Sequence, residues 1–381
     1  MGEEINYLLS FSGELGTKRA GTQEALKELA ANNLKARAEA LGLELSLEEF
    51  KGRLLLRFKA FSEGLERFLA TNPGLGRWAR FYRVEDNFPF ESLLPARPFT
   101  FEVYVTRWAG RAEKERALDL KRRLLALLTE EARVRLSAWD NHPPLHLRFE
   151  LEAYEDGLFL LEGPRPGAGG LPVGAAGKAL LLFSGGPDSL LSAWLLLRRG
   201  LEVALLFFSD GEAERERLLK ETAGKLAYLF PGGRLELLVL DYRPYLEALK
   251  REAPVRERCL YCKGLMLRLA QKVLEREGAQ VLATGEILGE QASQSLLALK
   301  FTDPSSFVLR PVIAYNKEEV FQGLSSLGLK QLAERSLPPC RFAPKRPRTA
   351  PKSSPLKAEK LWRKWTRRPF ELKKFTLAYR S

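Results

Sequence analysis

The sequence predicts an α/β fold: a doubly wound parallel sheet in the second half of the chain, preceded by two small α+β domains. Three observations carry this. From Ala179 onward, ALLLF, EVALLFF, LELLVLDY and QVLATG are short, nearly continuous apolar runs, as strands covered on both faces require. Helical stretches separate them, and strand–helix alternation is the pattern of a parallel sheet with helices on both sides. The first of these strands runs into LLFSGGPDS, a glycine turn that opens the helix LLSAWLLLRRG.

In chain order, INYLLSF reads as a strand, GTQEALKELAANNLKARAEALG as a helix and GRLLLRFKA as a strand, which places a first α+β domain over 1–80. FPFESLLPARPF, with Pro89, Pro95 and Pro98, predicts a linker. TFEVYVTRW is a strand and RAEKERALDLKRRLLALLTEEA a helix. LHLRFELEAYEDGLFLLEG is two strands turning at Glu155-Asp156-Gly157, so a second α+β domain covers 81–165. The glycine- and proline-rich PRPGAGGLPVGAAGK is a loop, the α/β domain covers 176–345, and 346–381 reads as a basic aromatic tail of little periodicity.

The 381 residues exceed one small module, and a 45% hydrophobic content excludes a wholly disordered chain. No apolar run approaches the roughly 18 to 20 residues of a bilayer helix, and MGEEINYLLSFSGELGTK carries no targeting signal, so no membrane partner and a cytoplasmic location are expected. The net charge of +13 is concentrated: residues 341–381 hold 14 Lys+Arg against 2 Asp+Glu, a net +12. That points to a polyanionic partner at the C-terminus.

The loop SGGPDS carries the chemistry. Amides at a strand-to-helix turn converge on an oxyanion, and the helix dipole adds to them, so a pyrophosphate would sit at this turn. The bland alternative is a glycine turn capped by Asp188 or Ser189. No Gly-Lys-Ser/Thr follows, which excludes a Walker A loop. A triphosphate needs a metal to neutralise its charge, so Asp188 is read as the Mg2+-linked or pyrophosphate-orienting carboxylate.

SGGPDS matches the SGGxDS loop of the ATP pyrophosphatases. Together with GAGGLPVG, TGEILGEQASQSLLAL (284–299), LRPVIAYNKEEV (309–320), the cysteine of LPPCRFAPK and the opening GELGTK, it closely resembles the tRNA 4-thiouridine synthetases, the THUMP-containing tRNA sulfurtransferases. The resemblance implies a ferredoxin-like domain, a THUMP domain that grips tRNA and a Rossmann-like ATP pyrophosphatase domain. It implies that ATP adenylates O4 of the uridine at position eight and that sulfur then displaces AMP. It also implies a homodimer. Carried over by motif, Leu182, Phe183, Phe207 and Phe208 flank the adenine, Ser184, Gly185, Gly186 and Ser189 hold pyrophosphate, Lys263, Gly285 and Gln294 contact the nucleotide, and Lys317 lies near the phosphates. Phe207 and Phe208 read equally well as core. This chain has Phe207 where the family often has histidine, Lys263-Gly264 where it often has two arginines, and Glu290 where glutamine is usual.

Cys259, Cys262 and Cys340 are too few for a disulfide framework. No cysteine follows Cys340, so a rhodanese route within this chain is not expected. A C-x-x-C pair with Cys340 as third thiolate suits a [4Fe-4S] cluster with one open iron, and rhodanese-lacking members of the resembled family favour that reading. A Cys259/Cys262 redox disulfide with Cys340 as persulfide carrier, structural zinc and inert thiols are the alternatives. The sulfur donor is sulfide or a cysteine desulfurase. For tRNA contact, Arg107, Arg111, Lys121 and Arg122 mix with Trp108 in a strand–helix setting, and Arg363, Lys364, Arg367 and Arg368 alternate with Trp362, Trp365, Phe370 and Phe375, a pattern suited to stacking on bases. Deleting 351–381 is expected to weaken tRNA binding with adenylation intact. His142 and His146 read as structural. An ATP-pyrophosphatase amide ligase is the competing enzyme class.

Overall fold

The computed structural model describes residues 5–59, 64–136, 143–304, 306–335 and 340–379. His142 and Arg380 lie outside the described residues. The chain forms two compact units: Met1–Thr17, Glu44–Ala70 and Leu75–Gly169 make one, and Lys18–Leu43, Thr71–Gly74 and Gly170–Ser381 the other.

The chain opens with β1 (Ile5–Phe11), the helical turn α1 (Gly13–Gly16) and α2 (Ala20–Ala40). It continues through β2 (Leu45–Phe50), β3 (Arg53–Phe58), α3 (Leu65–Ala70), β4 (Leu75–Val84), β5 (Phe99–Trp108), α4 (Arg111–Leu136), β6 (Leu145–Tyr154) and β7 (Gly157–Pro166). The seven strands form one sheet in the order β2-β3-β1-β4-β7-β6-β5. β4 pairs antiparallel with β7, so regions 1–80 and 81–165 share a sheet where the sequence suggested two separate α+β units. β5 and β6 are parallel, as the crossover through α4 requires. Leu120, Leu124 and Leu128 of α4, spaced by four, pack with Phe99, Val103, Phe149 and Leu151.

α2 belongs to the second unit. Its Arg37 is buried and donates to the Tyr228 carbonyl (2.6 Å), the Thr71 carbonyl (2.5 Å) and the Thr71 hydroxyl (2.8 Å), while Asn33 donates to the Val173 carbonyl (2.9 Å). A buried guanidinium needs such acceptors, and here two carbonyls and a hydroxyl supply them. Burial lowers its pKa to about 10.

The second unit continues with β8 (Lys178–Leu182), α5 (Pro187–Arg198), β9 (Glu202–Ser209), α6 (Ala213–Leu226), β10 (Arg234–Asp241), α7 (Arg243–Glu252), α8 (Arg258–Glu277) and β11 (Val281–Thr284). After these come α9 (Leu296–Thr302), β12 (Val308–Leu309), α10 (Lys317–Ser326), α11 (Lys330–Ala333), α12 (Pro355–Thr366) and β13 (Leu372–Ala378). The sheet order is β12-β11-β8-β9-β10-β13, and every pairing is parallel except β10 with β13. Ala179, Leu180, Leu181, Leu205 and Leu206 are inaccessible to solvent, so the doubly wound sheet that the apolar runs predict is present.

The C-terminal region overturns its reading as an unpatterned tail with aromatics free to stack on bases. Ala358, Leu361, Trp362 and Trp365 fall on one face of α12, and Trp362 and Trp365 are 1% and 0% exposed within the core. Lysines and arginines on the opposite face masked that periodicity. β13 covers the edge of β10, with Phe375 opposite Leu237, and Lys220 lies 4.1 Å above the Phe375 ring. Deleting 351–381 would therefore strip core from this unit, so the expectation that such a deletion leaves the rest of the protein intact is corrected. Among the described residues no helix is long and apolar enough to cross a membrane.

Candidate nucleotide and cysteine site

β8 ends at Leu182 and the chain turns through Phe183-Ser184-Gly185-Gly186 into α5. Gly185 takes φ +77°, a left-handed conformation that favours glycine. Pro187 starts α5 at a position where no amide is needed, and no side chain caps the helix, so its first-turn amides remain available to an anion. Ser189 donates to the Gly186 carbonyl (2.8 Å), and Ser184 accepts from the Gly186 amide (3.4 Å). At the end of β11, a Cβ on Gly285 would stand 2.8 Å from the Ser189 nitrogen and 2.9 Å from the Asp188 carbonyl carbon. Glycine is what lets β11 close on the first turn of α5.

Two charged groups flank this turn. In the first, Lys317 donates to both oxygens of Asp188 (3.0 and 2.9 Å) and pairs with Glu290 (2.7 Å). Asn316 caps α10 and exchanges hydrogen bonds with Glu319, fixing where Lys317 emerges. Burial raises the Asp188 pKa, Glu290 adds to the rise, and Lys317 only partly offsets it. Burial works against the charged form of Lys317, yet the hydrogen bonds it donates to Glu290 and Asp188 leave its pKa raised.

The second group is buried. Glu286 pairs with Lys263 and with Arg310 (2.9 Å), and accepts from Ser293 (2.7 Å) and Thr284 (2.8 Å). Burial works against its charge, but Lys263 and the two hydroxyls prevail and hold it at about 2. Burial lowers the Lys263 pKa. Lys263, read as a nucleotide contact, is thus engaged with Glu286 and Ser293 (2.7 Å). Sequence reasoning did not single out Glu286, Arg310, Thr284 or Ser293. They lie within the motif segments at 284–299 and 309–320, but a glutamate, an arginine and two hydroxyls spread over that span give no local signal of a shared network.

Phe183, Phe207 and Phe208 are buried, with Phe208 edge-on to Tyr242 at 5.2 Å; Leu182 is half-buried and Gln294 exposed.

Cys259 and Cys262 lie in the first turns of α8, and Cys340 is exposed. Burial pushes the Cys262 thiol up to about 12 against the hydrogen bond of Tyr242, and the charges of Cys340 and Cys259 add to it. Burial, then Cys340, raises Cys259. Cys340 thus acts electrostatically on both α8 thiols. Even so, among the described residues no group of three His, Cys, Asp or Glu side chains is drawn together tightly enough to hold a metal.

The family model described as "Thiamine biosynthesis protein (ThiI)" matches residues 174–362, which hold both charged groups, all three cysteines and most of α12. The chain belongs to the ThiI family. A "Probable tRNA sulfurtransferase" of Aeropyrum pernix is 28% identical over 94% of this chain and 92% of its own length. A "tRNA sulfurtransferase" of Pectobacterium carotovorum is 34% identical over 60% of this chain and 47% of its own. The chain spans about half the length of several of the curated relatives it matches, that of Pectobacterium carotovorum among them. A solved 4-thiouridine synthetase, in complex with RNA and bound ATP, shares the fold: TM-score 0.75 at 21% identity over 98% of this chain and 100% of that one. PH1313 from Pyrococcus horikoshii superposes with TM-score 0.54 at 16% identity.

In this ThiI-family chain the positions read as tRNA contacts fall on two surfaces. On the first unit Arg107, Arg111 and Arg122 are exposed and Lys121 half-buried, with Lys114 4.6 Å above Trp108. An open groove of about 420 Å³ is lined by Lys51, Thr106, Arg107, Trp108 and Tyr154. Arg111 pairs with Glu115 and Arg122 with Asp119. On α12 and just after it, Arg363 and Lys364 pair with Glu359 and Glu252, Arg367 is exposed, and Arg368 donates to the Pro244 carbonyl. His146 lies beside Thr100 (3.0 Å).

Proposed function

We propose that this chain is a tRNA sulfurtransferase that makes 4-thiouridine at position eight of tRNA in the cytoplasm, acting as a homodimer. The observation that carries the reading is the Ser184–Gly186 turn on the uncapped start of α5, faced by Asp188 and Lys317. Names of relatives, tRNA sulfurtransferase and 4-thiouridine synthetase, support the same reaction. Uridine O4 bonds to the α-phosphorus of ATP, the bond to the bridging oxygen breaks, and pyrophosphate leaves into the amides of the turn. O4, a poor leaving group as a carbonyl oxygen, then departs with AMP as sulfur bonds to C4. Lys317 offsets phosphate charge, and Asp188 would hold Mg2+. A carboxylate tied to one lysine keeps acceptor capacity for a cation.

For sulfur, the donor set of Cys259, Cys262 and Cys340 suits a [4Fe-4S] cluster by its chemistry: three thiols, two of them three residues apart on α8. Bound there, the cluster would supply an iron able to take up sulfide, either from solution or released by a thiol reductant from the persulfide of a cysteine desulfurase. A Cys340 persulfide is the second reading, favoured by the exposure of Cys340 and by the looser spacing of the three cysteines. Iron-free protein with full activity selects the persulfide; brown, iron-bearing protein purified without oxygen selects the cluster.

The test is mass spectrometry of tRNA nucleosides from cells lacking the protein. Loss of 4-thiouridine, restored by wild type and not by Cys340→Ala, is expected; an unchanged profile overturns the proposal.

A further inference from the structure

Residues 341–354, between Cys340 and α12, form neither helix nor strand, so the place of Cys340 depends on what tethers this arm. Its ties converge on two residues just before α8. Arg256 accepts from the Arg348 amide through its carbonyl (2.8 Å) and donates from its side chain to the Arg346 carbonyl (3.2 Å). Glu257 is only 4% exposed, and its two carboxylate oxygens each accept a main-chain amide of the arm, from Lys352 (3.1 Å) and from Ser353 (3.0 Å). A buried carboxylate needs such donors, and here the arm supplies them. Ser295 adds a bond to the Thr349 carbonyl (3.1 Å).

On the far side of the cysteines the same C-terminal region grips α8 again. A Cβ on Gly264 would stand 2.3 Å from the Trp362 ring, so the indole fits only because residue 264 is glycine. Trp362 also donates to the Tyr261 carbonyl (2.8 Å), and Arg268 lies 4.0 Å above its ring. Cys259 and Cys262 thus sit between Glu257 on one side and Gly264 on the other.

We infer that Glu257 is a positioning residue that docks the Cys340 arm against the cysteine-bearing turns of α8. The inference rests on the sulfur-handling role proposed above for the three cysteines. Trp362 fixes the helix, and Glu257 fixes the arm to it. The thiols then meet at an effective concentration set by the arm and not by free diffusion.

The probe is dibromobimane on the metal-free full chain. Each bromide is displaced by one thiolate, and peptide mass mapping separates Cys340-to-α8 cross-links from Cys259–Cys262 cross-links. In wild type both are expected. In Glu257→Gln, whose amide keeps one acceptor oxygen and loses the other, the ratio of the first to the second should fall on the order of tenfold. ATP–pyrophosphate exchange and the melting temperature should stay near wild type. If Glu257→Gln does not fold, Ser353→Pro removes one of the same amides from the arm and should lower the ratio in the same direction. An unchanged ratio in the folded variant, or no Cys340 cross-link in wild type, overturns the inference. The 4-thiouridine assay, read separately, reports on the function itself.

Discussion

Asp188 and Glu286 stand at adjoining turns of one active end, each facing a lysine, and their acidities move in opposite directions. Glu286 meets Lys263, Arg310 and two hydroxyls and is held at about 2. Among the described residues Asp188 pairs only with Lys317, shares it with Glu290, and is raised. The difference is saturation. A carboxylate whose lone pairs are all engaged is part of the scaffold; one left with free acceptor capacity beside a glycine turn and uncapped helix amides is suited to a cation and phosphates.

The largest effect should come from emptying the saturated group. Glu286→Ala leaves Lys263 and Arg310 facing each other with no carboxylate, and should destabilise the protein by about 3 to 5 kcal/mol in denaturant unfolding. A loss below about 1 kcal/mol would erase the contrast with Asp188.

Lys317→Ala should behave oppositely. Its side chain is half-exposed, so stability should change by less than about 1 kcal/mol, while ATP–pyrophosphate exchange should fall by roughly a hundredfold or more. Retained exchange would remove Lys317 from the chemistry.

The acid limb of stability sharpens the same comparison. The Glu286 pKa is about 2 in the folded chain against 4.5 for an unperturbed glutamate, so the unfolded state binds the proton first. Stability is full above pH 4.5 and is lost as pH falls toward 2, by up to about 3 kcal/mol at about 1.4 kcal/mol per pKa unit. Unfolding followed by tryptophan fluorescence should show this slope, and Glu286→Gln should flatten it.

Gly285→Ala tests the junction. Its Cβ collides with backbone of the α5 first turn, so a loss of about 1 to 3 kcal/mol is expected, with a raised KM for ATP in exchange kinetics. The smallest effect belongs to the α12 surface. Arg363→Gln with Arg367→Gln should leave the fold unchanged and lower the slope of log tRNA affinity against log salt by about one for each phosphate that is no longer neutralised.

The doubly wound sheet was legible because strands buried on both faces write themselves as unbroken apolar runs, and the glycine turn because SGGPDS is contiguous. The Glu286 network was not legible: its members, Lys263, Thr284, Glu286, Ser293 and Arg310, are joined only when β11, α8 and the chain after β12 come together. α12 was misread because Trp362 and Trp365 lie among lysines and arginines, and charge density hid a spacing of three and four residues. α2 was misassigned by adjacency, since its sequence neighbours are β1 and β2 while Arg37 finds its acceptors at Thr71 and Tyr228.

By itself, then, the sequence determined the parallel sheet, the anion-binding turn and the family, because backbone conformation and local pattern are written in adjacent residues. Only the tertiary structure decided which charges are spent on the scaffold and which remain for chemistry. It also decided that the basic C-terminus is core on one side, and that the Cys340 arm is tied to α8. Burial and hydrogen-bond saturation are set by residues far apart in the chain, and no local stretch encodes them.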